Sequence, residues 1–442
     1  MEAFSRITEL NDIYKRNIDL LDDSQRGPVF TNAPKVIIKA PAGSGKTLSL
    51  IDAVATYRYE HVNDHICAIT YTRAARAEME ARLQQMGVLD VAVSTIHVWC
   101  RAELDRLSRK CDFRLAVLQE KDIKAILHDI CREYLKTHLR LRAINEGILY
   151  NYITGGKNMN IPDKYKLTYN AIDERYVVYK RTNHLYDFTD FPLYLYDVLN
   201  QYNEVVDDID ALFVDEFQDI DSYQIEIFKK TTAAKKFYIG DPWQSIYQFR
   251  GADGEVFNEI PDDFERYKLE CNYRSYQEII DYASAVYPFL HEGNCVSDIM
   301  TTEPSKIKCM RGYGGTVTVF DKYGEGCAFS GEDGRYPLTC HDLAEEFDQF
   351  MQKMPMILCR TNKQVKFVQE LGYFNVSTVH QAKGLEYKNV LYIDTQITDA
   401  ADPNVAYVAL TRAQDSLMVI NWAQFQYIYE RWSGGIKTSN LI

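Results

Sequence analysis

The chain has 442 residues, too many for one ordinary domain and enough to bury several cores. Apolar residues make up 46% and charged residues 26%, a globular balance that excludes collagen, coiled coil or disorder for the chain as a whole. Lys and Arg number 50 against 63 Asp and Glu, a net charge of −13, so a basic coat is excluded and any nucleic-acid contact must be a local groove in an acidic shell.

The opening residues, MEAFSRITEL, are polar and lack the apolar core of a signal peptide. No stretch approaches the apolar length that spans a bilayer, so no membrane partner is expected. The ten cysteines include no CxxC pair, which argues against a zinc ribbon or a thioredoxin-like motif. Scattered thiols fit a reducing cytosol, and a cytoplasmic location is expected.

In chain order, Lys35-Val-Ile-Ile-Lys-Ala40 reads as a strand broken by Pro41 and a Gly-rich turn, with a helix starting near Lys46. His65–Thr70 is a second strand, residues 73–86 are a helix with an apolar stripe, and Val91–Ser94 is a third strand. This alternation predicts a parallel sheet covered on both faces. From about 100 to 205 the pattern turns helical and dense in Lys, Arg and Tyr, which reads as an insertion. The α/β pattern returns at Asp210–Asp215 and Lys236–Gly240. A second α/β block has strands near Met356–Arg360, Val376–Val379, Asn389–Asp394 and Leu417–Asn421. Residues 291–340 are Gly-rich and read as an irregular or β-hairpin insert.

Three motifs carry chemistry. Ala40-Pro-Ala-Gly-Ser-Gly-Lys-Thr47 lies between a strand and a helix, where glycines let backbone N–H groups converge on phosphate oxygens. Within it Ala42, Gly43, Ser44 and Gly45 form the cradle, Lys46 reaches the β- and γ-phosphates, and the Thr47 hydroxyl binds Mg²⁺. Ala40 stands where such loops usually begin with Gly. In Val214-Asp-Glu-Phe-Gln-Asp219, Asp215 suits the same Mg²⁺ and Glu216 suits the attacking water. In Gly240-Asp-Pro-Trp-Gln-Ser-Ile-Tyr-Gln-Phe-Arg-Gly251, Gln244 suits the γ-phosphate, and Tyr247 and Phe249 are either base-stacking aromatics or ordinary core. Arg274 and Arg412 are cations of the kind that stabilise charge spreading during phosphoryl transfer, though each taken singly reads more readily as a surface or salt-bridged Arg.

The ordered set resembles the superfamily 1 DNA helicases of the UvrD/Rep/PcrA type. The matching blocks are the P-loop, Thr70–Met79, Ser94-Thr-Ile-His97, DEFQD, GDPWQSIYQFRGA, NYRS, Thr378–Glu386 and AYVALTRA, in the family's order. The resemblance implies an α/β fold with two RecA-like P-loop NTPase domains: 1–100 and 206–270 form domain 1A, 101–205 the helical insertion 1B, and 271–442 domain 2A. It implies Gln25 as the adenine reader, Tyr273 as its stacking partner, Arg82 as their basic neighbour, and Glu386 near the sugar and γ-phosphate. Arg274 and Arg412 become γ-phosphate arginines. Tyr71, Thr72, Thr95, His97, Tyr247, Phe249, Arg250 and His380 become contacts to single-stranded DNA, with Phe249 where the family usually has Trp.

The family's large 2B subdomain has no room between Met356–Asn362 and Val376, so a full 2B is expected to be absent. The expected function is an ATP- and Mg²⁺-dependent DNA helicase that moves 3′ to 5′ on single-stranded DNA and opens tailed duplex. The expected setting is a monomer at the nucleoid of a bacterial or phage-infected cell, beside replication or repair proteins. The competing expectation is a DNA-dependent ATPase that displaces proteins or remodels complexes without useful unwinding.

Overall fold

The computed structural model describes residues 11–138, 144–154, 163–246, 256–257, 260–291, 308–311, 314–320, 326–329, 335–337, 343–394 and 403–432. Two sheets organise them. The first contains Lys35–Lys39 (β1), Ile66–Thr70 (β2), Val91–Thr95 (β3), Ala211–Val214 (β4), Lys235–Gly240 (β5) and Glu265–Lys268 (β6). Its order is β3-β2-β4-β5-β1-β6, and every pairing is parallel.

Burial on both faces explains the continuous apolar strands. Along β1 and β4 the side chains alternate between two cores, with Ile37, Leu212 and Val214 on one side and Val36, Ile38 and Phe213 on the other. The flanking helices include Lys46–Glu60 and Arg73–Gln85.

The remaining strands are Cys271–Asn272 (β7), Lys308–Cys309 (β8), Thr316–Phe320 (β9), Gly326–Phe329 (β10), Arg335–Pro337 (β11), Met356–Cys359 (β12), Val376–Thr378 (β13), Tyr387–Asp394 (β14) and Ala413–Asn421 (β15). The second sheet has the order β11-β10-β9-β15-β14-β12-β13. It is parallel from β9 to β13, with β10 and β11 added antiparallel at one edge. It is also buried twice over: Leu358, Val390 and Leu417 face one core, and Ile357, Leu391 and Met418 the other.

Two stretches differ from the reading of the sequence. The helices Ile96–Lys110 and Phe191–Gln201 pack into the first sheet's core through Trp99, Leu104, Leu195 and Leu199. The helices Glu120–Thr137, Glu146–Thr154 and Asp163–Thr182 enclose a separate core around Leu127, Leu149, Ile172 and Tyr176. Within 291–340, read as an irregular or β-hairpin insert, β9 is a member of the main second sheet and β10 and β11 extend its edge. The alternating Thr-Val-Thr-Val-Phe sequence of β9 was masked by the glycines around it. No helix among the described residues is long and apolar enough to cross a membrane.

Candidate active site between the two sheets

The nucleotide loop leaves β1 and turns at Gly43 and Gly45, with φ of +72° and +79°. A Cβ on Gly43 would lie 2.6 Å from Asn272 Nδ2 and 2.8 Å from the Arg274 Cβ, so the site excludes any side chain. The helix Lys46–Glu60 follows with no side-chain cap, leaving its first N–H groups for an anion. The Ser44 side-chain oxygen is buried with no hydrogen-bond partner among the described residues, as suits a cradle shaped for phosphate. Ala40, in place of the usual Gly, is buried and donates its N–H to Gly240 O at 2.9 Å.

β4 delivers two carboxylates to this loop. Thr47 Oγ1 donates to Asp215 Oδ2 at 2.9 Å, so hydroxyl and carboxylate stand side by side. Glu216 follows with φ +51°, a left-handed turn that swings it out of the strand direction. Its N–H donates to Asp215 Oδ1 at 2.9 Å, and Gln218 donates an amide hydrogen to its carboxylate. Gln218 Oε1 in turn accepts the Asp241 N–H at 2.8 Å, fixing this amide from behind. Burial and the adjacent Glu216 push Asp215 up to about 7, against Lys46 and Thr47. Burial would raise Glu216 too, but Lys46, Lys383 and Gln218 overcome it and hold this carboxylate at about 2.

The second sheet supplies cations. Arg412 is 1% exposed. Its guanidinium donates to Val408 O at 3.0 Å, Leu385 O at 3.1 Å, and Gln244 Oε1 and Thr411 Oγ1 at 3.3 Å. None of these acceptors is a carboxylate. Burial and neighbouring Arg274 depress its pKa to about 9. Gln244 is tied to Asp241 through a 2.6 Å bond from Nε2. Arg274 donates to Glu386 at 2.8 Å and to Thr411 O at 3.2 Å. Glu386 also accepts from Gln414 at 2.9 Å.

The adenine-side residues meet at the same loop. Gln25 donates from Nε2 to Ser44 O at 3.1 Å, and its Oε1 accepts the Asp22 N–H at 3.1 Å within a capping box. The Tyr273 N–H donates to Gly43 O at 2.8 Å, and its phenol hydrogen-bonds the Asp22 carboxylate. The family model of the UvrD/REP helicase N-terminal domain matches residues 21–265, more than half of the chain. The chain belongs to the UvrD/REP helicase family. The UvrD-like helicase C-terminal domain also matches, over residues 373–420.

Similar proteins include ATP-dependent DNA helicase Rep of Buchnera aphidicola, 31% identical over 298 residues that cover 60% of this chain and 45% of that one. A probable DNA helicase II homolog of Mycoplasma capricolum is 29% identical over 299 residues, 61% of this chain and 41% of its own. ATP-dependent DNA helicase PcrA of Bacillus subtilis is 28% identical over 306 residues, 63% and 40% of the two chains. The chain thus spans less than half the length of these relatives.

In this UvrD/REP-family chain, Lys46, Thr47, Asp215, Glu216, Gln244, Arg274, Arg412, Gln25, Tyr273 and Glu386 gather around one loop. Arg82 sits in the last turn of Arg73–Gln85 and pairs with Glu78 at 2.5 Å. Tyr71 and Thr72 follow β2, and Thr72 caps the next helix by accepting the Ala75 N–H at 3.1 Å. Thr95 ends β3, and His97 lies in the first turn beyond it. His380 lies on the short helix Val379–Ala382 after β13. All five stand at or just past the C-terminal ends of parallel strands. Tyr247, Phe249 and Arg250 lie outside the described residues.

Three residues escaped the reading of the sequence. Phe188, on the turn Phe188–Asp190, stacks on His97 with ring centroids 5.4 Å apart and planes 16° from parallel. Asn272 donates to Ala42 O at 2.6 Å and accepts from the N–H groups of Arg274 and Ser275 at 2.9 and 2.8 Å. Lys383 binds Asp219. Asn272 and Lys383 sit inside the quoted motifs, yet a polar residue between two functional ones gives no signal of its own. Phe188 lies in the helical stretch, where aromatics usually pack.

Proposed function

We propose that this chain is an ATP-driven motor that moves 3′ to 5′ along single-stranded DNA and opens duplex bearing a single-stranded tail. In this reading the first sheet, with the helices Ile96–Lys110 and Phe191–Gln201 packed on it, is the 1A lobe, the helices Glu120–Thr137, Glu146–Thr154 and Asp163–Thr182 are 1B, and 271–442 is 2A without a full 2B. The observation that carries it is Arg412, a buried guanidinium beside the second sheet that bonds no carboxylate among the described residues but touches Gln244 of the first. Glu216 and Asp241 act on this desolvated guanidinium without a direct bond to it, so a ligand anion would complete its pairing.

The chemistry follows from the residues. Lys46 and the N–H groups after Gly45 hold the β- and γ-phosphates. Thr47 and Asp215, a hydroxyl and a carboxylate in contact, are a hard oxygen pair that fits Mg²⁺. When bound, that ion neutralises phosphate charge. Glu216, held ionised, accepts a proton from the attacking water as the water oxygen bonds to the γ-phosphorus and the β–γ bridging bond breaks. Arg412 and Arg274 balance the charge that spreads over the leaving phosphoryl group. Losing the phosphate removes what draws the two lobes together, and the cleft opens. Bases held past the strand ends of both sheets, near His97 and His380, then shift relative to one another.

The test is ATP turnover with and without single-stranded DNA, followed by unwinding of duplexes with 3′ or 5′ tails. Strong DNA stimulation and opening of the 3′-tailed duplex alone are expected. Glu216→Gln should bind ATP and lose about 10²–10⁴-fold in turnover. Normal turnover in that variant would overturn the assignment.

A second reading is a motor that displaces bound proteins without useful unwinding. It is favoured by the direct run from the helix Asn362–Glu370 into β13 at Val376, with no subdomain between them. Streptavidin displacement from biotinylated DNA without strand separation would select it.

A further inference from the structure

We infer that Arg311 is a positioning residue that locks the two phosphate-facing arginines, Arg274 and Arg412, into one register. The inference rests on the ATPase reading above and adds a residue that none of the helicase motifs contains.

The clamp begins at β8. It pairs in parallel with β7, and the N–H of Met310 donates to Asn272 O at 2.8 Å. This short ladder delivers Arg311 to the gap between two segments: 274–276, which carries Arg274, and 412–415, in which Arg412 leads into the start of β15. Arg311 Nη1 donates to Arg274 O and to Gln414 O, both at 3.0 Å. Nη2 donates to Asp415 at 2.7 Å. The guanidinium lies 4.0 Å from the centre of the Tyr276 ring, which keeps its plane in place.

The loops have other stitches. Ser275 Oγ donates to Ala413 O at 2.6 Å, and the Tyr276 N–H donates to Gln414 O at 3.1 Å. Those bonds leave Arg274 O and Gln414 O converging on one point. Two carbonyl oxygens aimed at one point repel unless a donor stands between them. Arg311 is that donor, and its rigid planar fork serves both carbonyls and a carboxylate at once. Lysine, with one compact ammonium on a flexible stem, does not reproduce this geometry. The carbonyl fixed on one side belongs to Arg274 itself, and the one on the other side lies two residues past Arg412. Removing the clamp therefore frees both side chains by fractions of an ångström, without touching the P-loop or its carboxylates.

Such a role affects the transition state more than the ground state. Arg311→Met keeps the apolar stem over Tyr276 and removes the fork. It should lower kcat, at saturating ATP and single-stranded DNA, by about tenfold to a hundredfold. Affinity for ADP should stay within about twofold, while affinity for ADP with aluminium fluoride should fall by the same factor as kcat. A kcat within twofold of the parent, or equal losses in ADP affinity and kcat, overturns the inference. If Arg311→Met does not fold, Asp415→Asn carries the test, because it weakens the fork and leaves both carbonyls in place. It should reduce kcat severalfold with ADP affinity kept, and an unchanged kcat overturns the inference. Absence of ATPase in the parent protein would instead defeat the underlying functional reading.

Discussion

Lys383 and Asp219 form an ion pair between the two sheets, 2.6 Å apart, with 7% and 0% of their side chains exposed. Asp219 closes the turn Phe217–Asp219 immediately after Glu216, and Lys383 ends the short helix that carries His380. The same ammonium donates to Gln244 O at 2.7 Å. One cation thus links the carboxylate turn, the γ-phosphate glutamine and the element at the strand ends of the second sheet. Desolvation offsets most of what such a pair contributes to net stability, so its main effect is to fix the register of one lobe on the other.

Breaking it from one side should be costly. Lys383→Met leaves Asp219, which burial already pushes up to about 6 against the pull of Lys383, without its cation. Stability should fall by about 3–5 kcal/mol. Lys383→Met combined with Asp219→Asn should recover most of the loss. Urea unfolding of the two single variants and the double variant checks this, and additive losses would refute the coupling.

Arg412→Lys should separate binding from turnover. The ammonium keeps the positive charge but not the fork that reaches Val408 O, Leu385 O and Gln244 together. DNA-stimulated turnover should fall by about 10³-fold or more, while ADP affinity stays within a few-fold. Steady-state kinetics with a fluorescent ADP competition assay distinguishes these outcomes. Turnover close to the parent's would remove Arg412 from the phosphoryl-transfer site.

The sequence made the scaffold legible because its strands are short, β-branched and bounded by Gly and Pro. Lys35–Lys39, Ile66–Thr70 and Lys235–Gly240 all stand where their residues suggest. The nucleotide loop was legible for the same reason that it works, since Gly43 and Gly45 are needed at positive φ. What stayed hidden was contact across long sequence separation. Nothing local in Arg311 announces that it bridges Arg274 and Gln414, and nothing in Lys383 points to Asp219. The split of the helical stretch was also hidden. Both halves are amphipathic, and only packing tells Ile96–Lys110, on the first sheet, from Glu120–Thr137, in its own core. Arg82 marks the converse case: a residue carried over by resemblance whose observed partner is a neighbour one turn away.

Phe188 should depend on a buried charge behind it. Lys180 donates to Asp187 at 2.8 Å and to Asp190 at 2.5 Å, and Tyr176 donates to Asp187 at 3.0 Å. Asp187 caps the turn that carries Phe188 by accepting the Thr189 N–H at 2.9 Å. Lys180→Met therefore loosens the ring that stacks on His97. Affinity for an oligothymidine, read by fluorescence anisotropy, should fall by about tenfold, the scale of one lost base stack. Phe188→Ala should match it. If Phe188→Ala binds the oligonucleotide as the parent does, this aromatic pair does not hold DNA.

Asp52 sets a pH dependence of stability. It lies on the helix Lys46–Glu60, fully buried; among the described residues Oδ2 has no partner and Oδ1 accepts a long 3.4 Å bond from Asn17. Burial raises its pKa from 3.8 to about 6, opposed by Asn17 and Arg82. The folded state therefore holds this proton more tightly than the unfolded chain does. Its contribution is fully present below pH 3.8, declines as the pH rises, and is lost above about 6. Asp52→Asn supplies a neutral amide at every pH. The variant should be more stable than the parent by about 1–3 kcal/mol at pH 8, with the gain vanishing near pH 4. Chemical unfolding at pH 8, 6 and 4 tests this sign, and a variant less stable than the parent at pH 8 would show that the ionised carboxylate is favourably held.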